Sequence, residues 1–481
     1  MPRWARAADF LSLLLLIVAL VIAASGGVRV RYGTWLIRIT SPYRVLIWAA
    51  LVVALRHWFY REQPIYRQLP SDIARWVRST PFRAALATMT ATRLAIFFVG
   101  WMAVLVIGYS NEAAAKMNEL RAFDNELMNL PHRWDANWYL GIAVLGYRYN
   151  PEVGAGAQQN IVFFPAFPVA TRAVALLLGG SRGSYTLAGT IVSLAAFLGA
   201  LVYLYLLARD ELPDEESRAA LWLLAAYPFA FFFGAIYTES FFLLGATGAF
   251  YHLRRRELVR AGLWALVVGL TRPNGFLLAV PLAIVALAPW LPYDLLLGKR
   301  RGDVEATDVG RPSFAAQLPA FAVVAMPVVG MLTYSAFVWS VTGSPFAWAQ
   351  GHAAWGRHFT GLDAIVTDRY KYIASAGLYG YVRDLPMDVL NALGVIFMLV
   401  SVWPVWRRLG LAYAVFILIN LLPPLAQGGL LSAGRFTSVL FPAFIWLAGA
   451  APSRHRPGWV AAFAANQALN AALFYTWRQL Y

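Results

Sequence analysis

Four ionisable residues stand inside or beside strongly apolar segments, and they are of types that take part in group-transfer chemistry. They are Asp135 in HRWDANWYLGIA (132–143), Glu239 in AIYTESFFLL (235–244), Arg272 in GLTRPNGFLL (269–278) and Arg435 in LLSAGRFTSVLFPAF (430–444). A carboxylate can accept a proton from an attacking hydroxyl, and a guanidinium can bind a phosphate through two N–H groups. A charged residue in a membrane span costs about 2.5–3.5 kcal/mol on insertion scales, so its presence there indicates a function.

Each of these residues also has a purely structural interpretation. Asp135 precedes an amphipathic pattern and can act as a helix N-cap. Glu239 can cap its own helix or pair with Arg272. Arg272 and Arg435 can extend to lipid headgroups. The stretch TRPNG (271–275) can be a simple turn between short spans.

The composition indicates which solvent surrounds these residues. The chain of 481 residues is 60% hydrophobic and 13% charged, whereas soluble domains are about 45–50% apolar and about 25% charged. Apolar runs at 10–24, 185–208 and 321–339 approach or exceed the ~20 residues that cross a bilayer. The sequence therefore predicts an all-α polytopic membrane protein with about 11 to 13 transmembrane helices.

The apolar runs place the individual spans and divide the chain. We predict spans at about 9–25, 44–60, 94–109, 185–208, 219–234, 238–253, 261–271, 276–291, 318–341, 387–405, 410–425, 434–450 and 458–476. The first run resembles a signal peptide, but a second apolar run follows so soon that an uncleaved span is favoured. The predicted parts are an N-terminal helix pair with a basic cytoplasmic loop (1–93), a core (94–450) and a C-terminal helix (451–481).

The basic residues predict the orientation of the chain. The basic residues behind the formal charge of +16 are concentrated in loops between spans, which is typical of cytoplasmic loops. The charge therefore does not predict a nucleic acid partner. Two long loops, 110–184 and 342–386, are then outside, and FFPAFPVATRAVALLLGG (163–180) is a juxtamembrane helix on the outer surface. All four ionisable residues fall on this outer face, together with Arg172, Trp355, Arg357 and His358.

Five segments together resemble the PIG-V family of GPI mannosyltransferases, which have the GT-C membrane glycosyltransferase fold. These segments are RWDANWYLGIAVLGY (133–147), NIVFFPAFPVATR (160–172), AIYTESFFLL (235–244), GLTRPNGFLL (269–278) and GRFTSVLFPAF (434–444). The resemblance implies juxtamembrane helices in the first outer loop, an essential acidic residue at Asp135 and a polyprenyl-phosphate sugar donor, most often carrying mannose. It also places Arg435 near the donor phosphate.

Two departures from the family pattern bear on the kind of organism the protein comes from and on the molecule that accepts the sugar. The two spans before residue 90 lie outside the recognised pattern, and Pro273 stands where eukaryotic members are expected to have Ser. These departures, with the preference for Arg over Lys, imply a bacterial relative in the inner membrane with its site on the periplasmic face. Bacteria do not make GPI, so the acceptor, whether a glycan, a lipid or a protein, is not implied by the resemblance.

The chemistry predicted from these residues is inverting sugar transfer from a lipid phosphate. No nucleotide-binding fingerprint is present, and no cofactor or metal cluster is predicted. Asp135 is the candidate general base, and Glu239 is its candidate acidic partner. The candidate substrate-binding residues are Arg435, Arg357, Arg272, Arg172, Trp355, His358, Trp134 and Asn274. The alternatives are a lipid or solute transporter, for which the sequence lacks matching broken helices in two halves, and a scaffold without activity.

Overall fold

The computed structural model describes residues 2–25, 28–32, 35–39, 41–61, 64–111, 121–153, 157–292, 295–296 and 313–478. These residues are almost entirely helical, which confirms the predicted all-α polytopic class. A short antiparallel hairpin of β1 (Val28–Tyr32) and β2 (Trp35–Ile39) connects the first two helices.

The α-helices are numbered here in chain order. They are α1 (Arg3–Ser25), α2 (Pro42–Phe59), α3 (Ile65–Val77), α4 (Thr80–Val106), α5 (Glu126–Asn129), α6 (Ala136–Leu145), α7 (Ala166–Leu177), α8 (Arg182–Arg209), α9 (Asp214–Ala226), α10 (Glu239–Arg254), α11 (Leu258–Gly269), α12 (Ala279–Leu287), α13 (Phe314–Thr342), α14 (Ala347–Gln350), α15 (Asp363–Asp384), α16 (Pro386–Leu409), α17 (Leu411–Gly428), α18 (Ala433–Thr437), α19 (Pro442–Ala450) and α20 (Arg456–Tyr475). Short 3₁₀ helices occur at Pro151–Val153, Asn160–Val162, Ala230–Gly234, Pro273–Leu278, Ala288–Trp290, Gly351–Trp355 and Ser453–His455.

Six described helical segments are long and apolar enough to cross a membrane. They are α4, α8, the segment Pro273–Trp290, α13, α16 and α17. The helices α1 and α20 have 23 and 20 residues. The 11 to 13 transmembrane helices predicted from the sequence also included shorter helices, such as α10 with its 16 residues.

The third predicted span starts earlier than the sequence suggested. Helix α4 begins at Thr80 and continues through Arg93, so the predicted domain boundary at residue 93 lies inside a helix. Arg93 is buried and donates hydrogen bonds to the carbonyls of Ala230 at 2.5 Å and Ala225 at 2.8 Å. These bonds offset the cost of burying the charge, which is why a residue that looked like part of a basic loop is helical.

Proline residues break two of the predicted spans. In the span predicted at 219–234, α9 ends at Ala226 just before Pro228, because a proline disfavours the helical conformation of the preceding residue. In the span predicted at 434–450, α18 and α19 are separate helices, and Pro442 starts the second one. Thr238, which follows the first break, and Arg435, which precedes the second, line one cavity.

Close backbone packing fixes the turn that carries Arg272. Helix α11 lies against α13 so closely that a Cβ atom at Gly330 would be 2.7 Å from the carbonyl oxygen of Leu266. Small residues allow such close approach between helices in membranes. The turn Thr271–Arg272 directly follows α11, and the 3₁₀ helix Pro273–Leu278 continues from it into α12.

The segment predicted as a juxtamembrane helix forms α7. Its 12 residues extend about 18 Å, which is shorter than the ~30 Å hydrocarbon core of a bilayer. Helix α7 packs on α6 and α8. Its length fits a helix that lies against the bundle.

Candidate active site

A central cavity of about 470 Å³ lies where the broken helices and the two long loops meet. Its polar lining consists of Asp135, Tyr139, Thr238, Thr271, Arg272, Asn274, His352, Arg357, Gln427, Ser432 and Arg435, and its aromatic lining includes Phe163, Phe276, Trp348, Trp355 and Phe436. Pockets that hold small ligands are of this size, largely apolar and with a few convergent polar groups.

Four charged side chains meet at one edge of the central cavity. The Arg435 guanidinium lies between two carboxylates: its Nη1 donates to Oδ2 of Asp135 at 2.8 Å and its Nε donates to Oε1 of Glu239. Arg272 Nη2 approaches the same Glu239 oxygen at 3.4 Å. Two carboxylates and two guanidinium groups balance in charge, and we call this set of four the charge-balanced cluster. The structure therefore brings together all four residues that stood out in the sequence.

Asp135 is the exposed carboxylate of the cluster. It occupies the N-cap position of α6, yet its side chain makes no capping hydrogen bond, so the capping interpretation does not account for it. Its backbone N–H donates to the Tyr237 hydroxyl at 3.0 Å. The side chain is 27% exposed, and among the described residues only Oδ2 has a hydrogen-bond donor. Oδ1 is therefore available to a molecule in the cavity.

Glu239 is the buried carboxylate of the cluster. Its side chain is 0% exposed and lies behind Arg435, off the wall of the central cavity. Its Oε2 has no hydrogen-bond partner among the described residues. A group in this position can hold the two arginines but cannot touch a ligand without rearrangement.

Aromatic rings and a strained turn hold Arg435 in place. Its guanidinium lies 4.7 Å from the ring centroid of Tyr237 and 5.8 Å from that of Phe232. The preceding Ser432 has a left-handed backbone with φ 55°, and the N–H of Gly434 donates to Asn391 Oδ1 at 2.6 Å. The turn at Ser432 and the short helix α18 that follows it therefore present Arg435 to the carboxylates in one defined orientation.

Arg357 is a cation of a different kind in the same cavity. It follows the 3₁₀ helix of the second long loop (342–386), donates to the carbonyl of Leu431 at 3.4 Å and lies 5.1 Å from the ring centroid of Phe436. Among the described residues no carboxylate pairs with it. Burial, and then the nearby charge of Arg435, lower the pKa of Arg357 to about 10, so it remains charged at neutral pH.

His352 lies beside Arg357 and is neutral. Burial lowers its pKa to about 4, and the charge of Arg357 acts in the same direction. Its Nε2 has no partner within the described part of the chain. The sequence analysis did not select His352, because a single histidine in a loop carries no distinguishing pattern.

The remaining predicted site residues divide into two groups. Asn274 and Trp355 line the central cavity; Asn274 donates to Asn420 Oδ1 at 3.1 Å, and the Trp355 ring lies 5.7 Å from Phe163. Arg172, His358 and Trp134 do not line it. Arg172 donates to the carbonyl of Ala143 at 3.0 Å at the end of α6, and His358 is exposed on the loop.

Trp134 points away from the cavity toward the C-terminal helix. Its backbone is left-handed, with φ 52°, which turns the side chain away from that of Asp135. The indole N–H donates to the carbonyl of Phe474 at 3.2 Å, and the ring lies 4.9 Å from Trp477. The two neighbours in the WD pair thus face different parts of the molecule.

Arg133 is a positioning residue that the sequence analysis missed. It is fully buried and donates to the carbonyls of Tyr475 at 3.0 Å and Asn129 at 2.6 Å. It thereby ties the loop before Asp135 to α20, more than 300 residues further along the chain. No local signal marks this contact, because both acceptors are backbone carbonyl groups.

The fold and the site define a polytopic membrane protein with an acid–guanidinium cluster at the edge of a buried cavity. Residues 103–300 match the family model described as Mannosyltransferase (PIG-V), which confirms the resemblance to that family. The match contains Asp135, Glu239 and Arg272 and ends before Arg357 and Arg435. It supports glycosyltransferase activity with a sugar donor and an acceptor. No curated protein and no solved structure matches the chain.

Proposed function

We propose that this protein transfers a sugar, mannose by its family, from a polyprenyl-phosphate donor to an acceptor hydroxyl at the outer membrane face. The observation that carries the proposal is the composition of the central cavity: a partly exposed carboxylate, Asp135, and a guanidinium without a carboxylate partner among the described residues, Arg357, line the same space. Sugar transfer from a lipid phosphate requires a group that accepts a proton and a group that stabilises a phosphate.

Asp135 is the general base in this proposal. The acceptor oxygen forms a bond to the anomeric carbon, and its proton passes to Oδ1 of Asp135. The bond between the anomeric carbon and the phosphate oxygen breaks, and its electron pair stays on the lipid phosphate. Such proton transfer contributes roughly 10²–10⁴-fold to a rate. One direct displacement inverts the anomeric configuration, so a β-linked donor gives an α-linked product.

Arg357 is the first ligand of the donor phosphate in this proposal. The sequence pointed to Arg435 for this role, but the charge of Arg435 is already offset by two carboxylates. An incoming phosphate adds negative charge, and Arg357 is the lining guanidinium without a described carboxylate partner. In a cavity partly shielded from water, a charged donor stabilises the departing phosphate more strongly than it would in bulk solvent.

Arg435 and Glu239 position the base. Arg435 holds Oδ2 of Asp135 at 2.8 Å and thereby leaves Oδ1 to face the acceptor. Glu239 holds Arg435 from behind, and Arg272 shares the same carboxylate oxygen. Catalytic groups held by such contacts keep a productive orientation.

The outer location follows from the charge pattern and from donor chemistry. Nucleotide sugars are made in the cytosol and do not cross membranes, so an enzyme on the outer face needs a sugar carried by a lipid. The basic loops predict that the two long loops are outside. The lining residues from 135 to 164 and from 348 to 357 come from these loops, so the proposed site shares their side of the membrane.

The experiment that tests the proposed function uses purified protein and a panel of polyprenyl-phosphate sugars without an acceptor. A transferase slowly passes the sugar of its own donor to water, and we expect free sugar from one member of the panel, with polyprenyl-phosphate mannose as the first choice. The Asp135→Asn variant should release far less. A transporter would move the lipid between leaflets and leave every donor intact, and that result would contradict the proposal.

A further inference from the structure

A second pocket lies at the far end of the bundle from the central cavity. It has a volume of about 630 Å³ and is lined by Glu211, Trp403, Pro404, Arg407, Arg408 and Trp446; we call it the Trp403–Trp446 pocket. Helix α16 connects the two sites: Asn391, near its start, accepts the Gly434 N–H beside Arg435. From Asn391 to Arg407 the helix advances about 24 Å, so the pocket lies near the opposite membrane surface.

The two arginines of this pocket differ from their neighbours in having no ion pair within the part of the chain that the structure describes. Nearby carboxylates are already paired with other arginines, as Glu211 with Arg254 at 2.9 Å, Asp210 with Arg255 at 2.8 Å and Glu216 with Arg456 at 2.8 Å. Within the described ranges, no carboxylate pairs with Arg407 or Arg408. The wall contributed by Glu211 does not repel an anion strongly, because Arg254 offsets its charge.

The aromatic residues give the pocket the character of a lipid interface. Trp403 is 61% exposed, and the Arg407 guanidinium lies 5.9 Å from its ring centroid. The adjoining Trp406 is fixed by a hydrogen bond from its indole N–H to the carbonyl of Leu295 at 2.7 Å. Tryptophan side chains concentrate at the level of lipid headgroups, where one part of the ring is apolar and another is polar.

A glycine on α19 leaves space for the second guanidinium. A Cβ atom at Gly449 would lie 2.5 Å from Nη2 of Arg408, so a larger residue there would push the guanidinium away. Arginines in the last turn of a helix also offset the helix dipole. That role requires neither a pocket nor a matching glycine on the neighbouring helix.

We propose that the Trp403–Trp446 pocket binds the phosphate of an anionic membrane phospholipid. Two guanidinium groups supply N–H donors for the phosphate oxygens, and the tryptophans contact the glycerol and upper acyl region. Basic pockets between transmembrane helices at the cytoplasmic surface bind such headgroups. This site is separate from the proposed transferase site and does not depend on its activity.

The test measures lipid retention by native mass spectrometry in detergent. The protein is mixed with equal amounts of dioleoyl phosphatidylglycerol and dioleoyl phosphatidylcholine, and a parallel sample receives inorganic phosphate at the same concentration. We expect wild-type protein to retain phosphatidylglycerol preferentially. The Arg407→Gln/Arg408→Gln variant should retain it roughly 25-fold less, since each cationic side chain near an anionic lipid contributes about fivefold.

The matched control removes the same charge elsewhere at this end of the bundle. Arg78 and Arg83 flank the start of α4 and are exposed, and the Arg78→Gln/Arg83→Gln variant should retain phosphatidylglycerol as wild type does. Equal melting temperatures of the lipid-free proteins show that the variants fold. Equal loss in both double variants, or no loss in either, would overturn the proposal. Competition by inorganic phosphate at equal concentration would also overturn it, because the site would then bind a free anion.

Discussion

Arg435 and Arg357 line the same central cavity, yet the protein neutralises one of them and not the other. Arg435 comes from the short helix α18 and is held by Asp135 and Glu239. Arg357 comes from the second long loop, and among the described residues its guanidinium is held by a carbonyl and an aromatic ring. The charge of Arg435 is buried among helices and is offset by carboxylate partners. The charge of Arg357, on a loop that lines the cavity, is available to a ligand.

This difference is why we propose Arg357, and not the Arg435 to which the sequence pointed, as the first ligand of the donor phosphate. In the proposed function, the core helices hold the carboxylate that takes the proton, and the loop carries the charge that meets the phosphate. The loop is itself attached to the core, because the N–H of Thr360 donates to the carbonyl of Ala426 at the end of α17 at 3.0 Å. Substitutions on the two sides should therefore have different consequences.

The largest expected effect of a substitution on stability is at the buried centre of the cluster. Glu239→Gln keeps the shape of the side chain but removes the charge that holds Arg435 and Arg272. Breaking a buried ion pair costs about 3–5 kcal/mol, so the melting temperature in detergent should fall markedly. Glu215→Gln is the control, because Glu215 is 77% exposed and surface pairs contribute roughly 0–1 kcal/mol. Equal melting temperatures for the two variants would contradict the structural role of Glu239.

A smaller effect, confined to donor binding, is expected at Arg357. Arg357→Gln should weaken binding of the lipid-phosphate donor by about 10- to 100-fold, since a hydrogen bond to a charged group contributes about 1.5–3 kcal/mol. Thermal stability should stay near that of wild type, because no ion pair is lost. Equilibrium binding of a non-hydrolysable donor analogue measures the effect. Unchanged affinity in this variant would remove Arg357 from the phosphate site.

A smaller effect, on how the melting temperature depends on pH, is expected at His352. Its pKa is lowered from 6.5 to about 4 by burial and by the charge of Arg357, so between these values the unfolded chain binds a proton that the folded chain does not. Its contribution to stability is therefore complete above pH 6.5 and is lost as the pH falls toward 4. Melting temperatures across this range should decline less steeply for His352→Gln. His132, whose pKa is also about 4, should keep part of the slope in the variant.

The smallest effects are expected at predicted residues that lie off the cavity. His358→Ala changes an exposed side chain, and surface substitutions usually alter stability by less than about 0.5 kcal/mol. Transfer rate and donor affinity should both remain within about threefold of wild type. A loss of donor affinity as large as that of Arg357→Gln would mean that the loop closes over the donor and brings His358 into contact.

The sequence allowed prediction of the membrane class and the four cluster residues, because charge in an apolar segment is costly and therefore conspicuous. It did not reveal how the four pair, since Asp135 and Arg435 are 300 residues apart and pairing depends on where the broken helices turn. Trp134 was included with Asp135 because the two are adjacent, and its left-handed backbone could not be foreseen. Arg133 was missed because it is tied to a backbone carbonyl far along the chain, and His352 was missed because its neutral state depends on burial.

The most direct test of the central claim compares transfer rate and donor affinity in Asp135→Asn. Asparagine is close to aspartate in size, and its side-chain oxygen can still accept the hydrogen bond from Arg435, but it does not accept the proton, so transfer should fall by about 10²-fold or more. Donor affinity should change by only a few fold. A carboxylate with a structural role alone would instead give turnover close to that of wild type, and that result would contradict the assignment of Asp135 as the base.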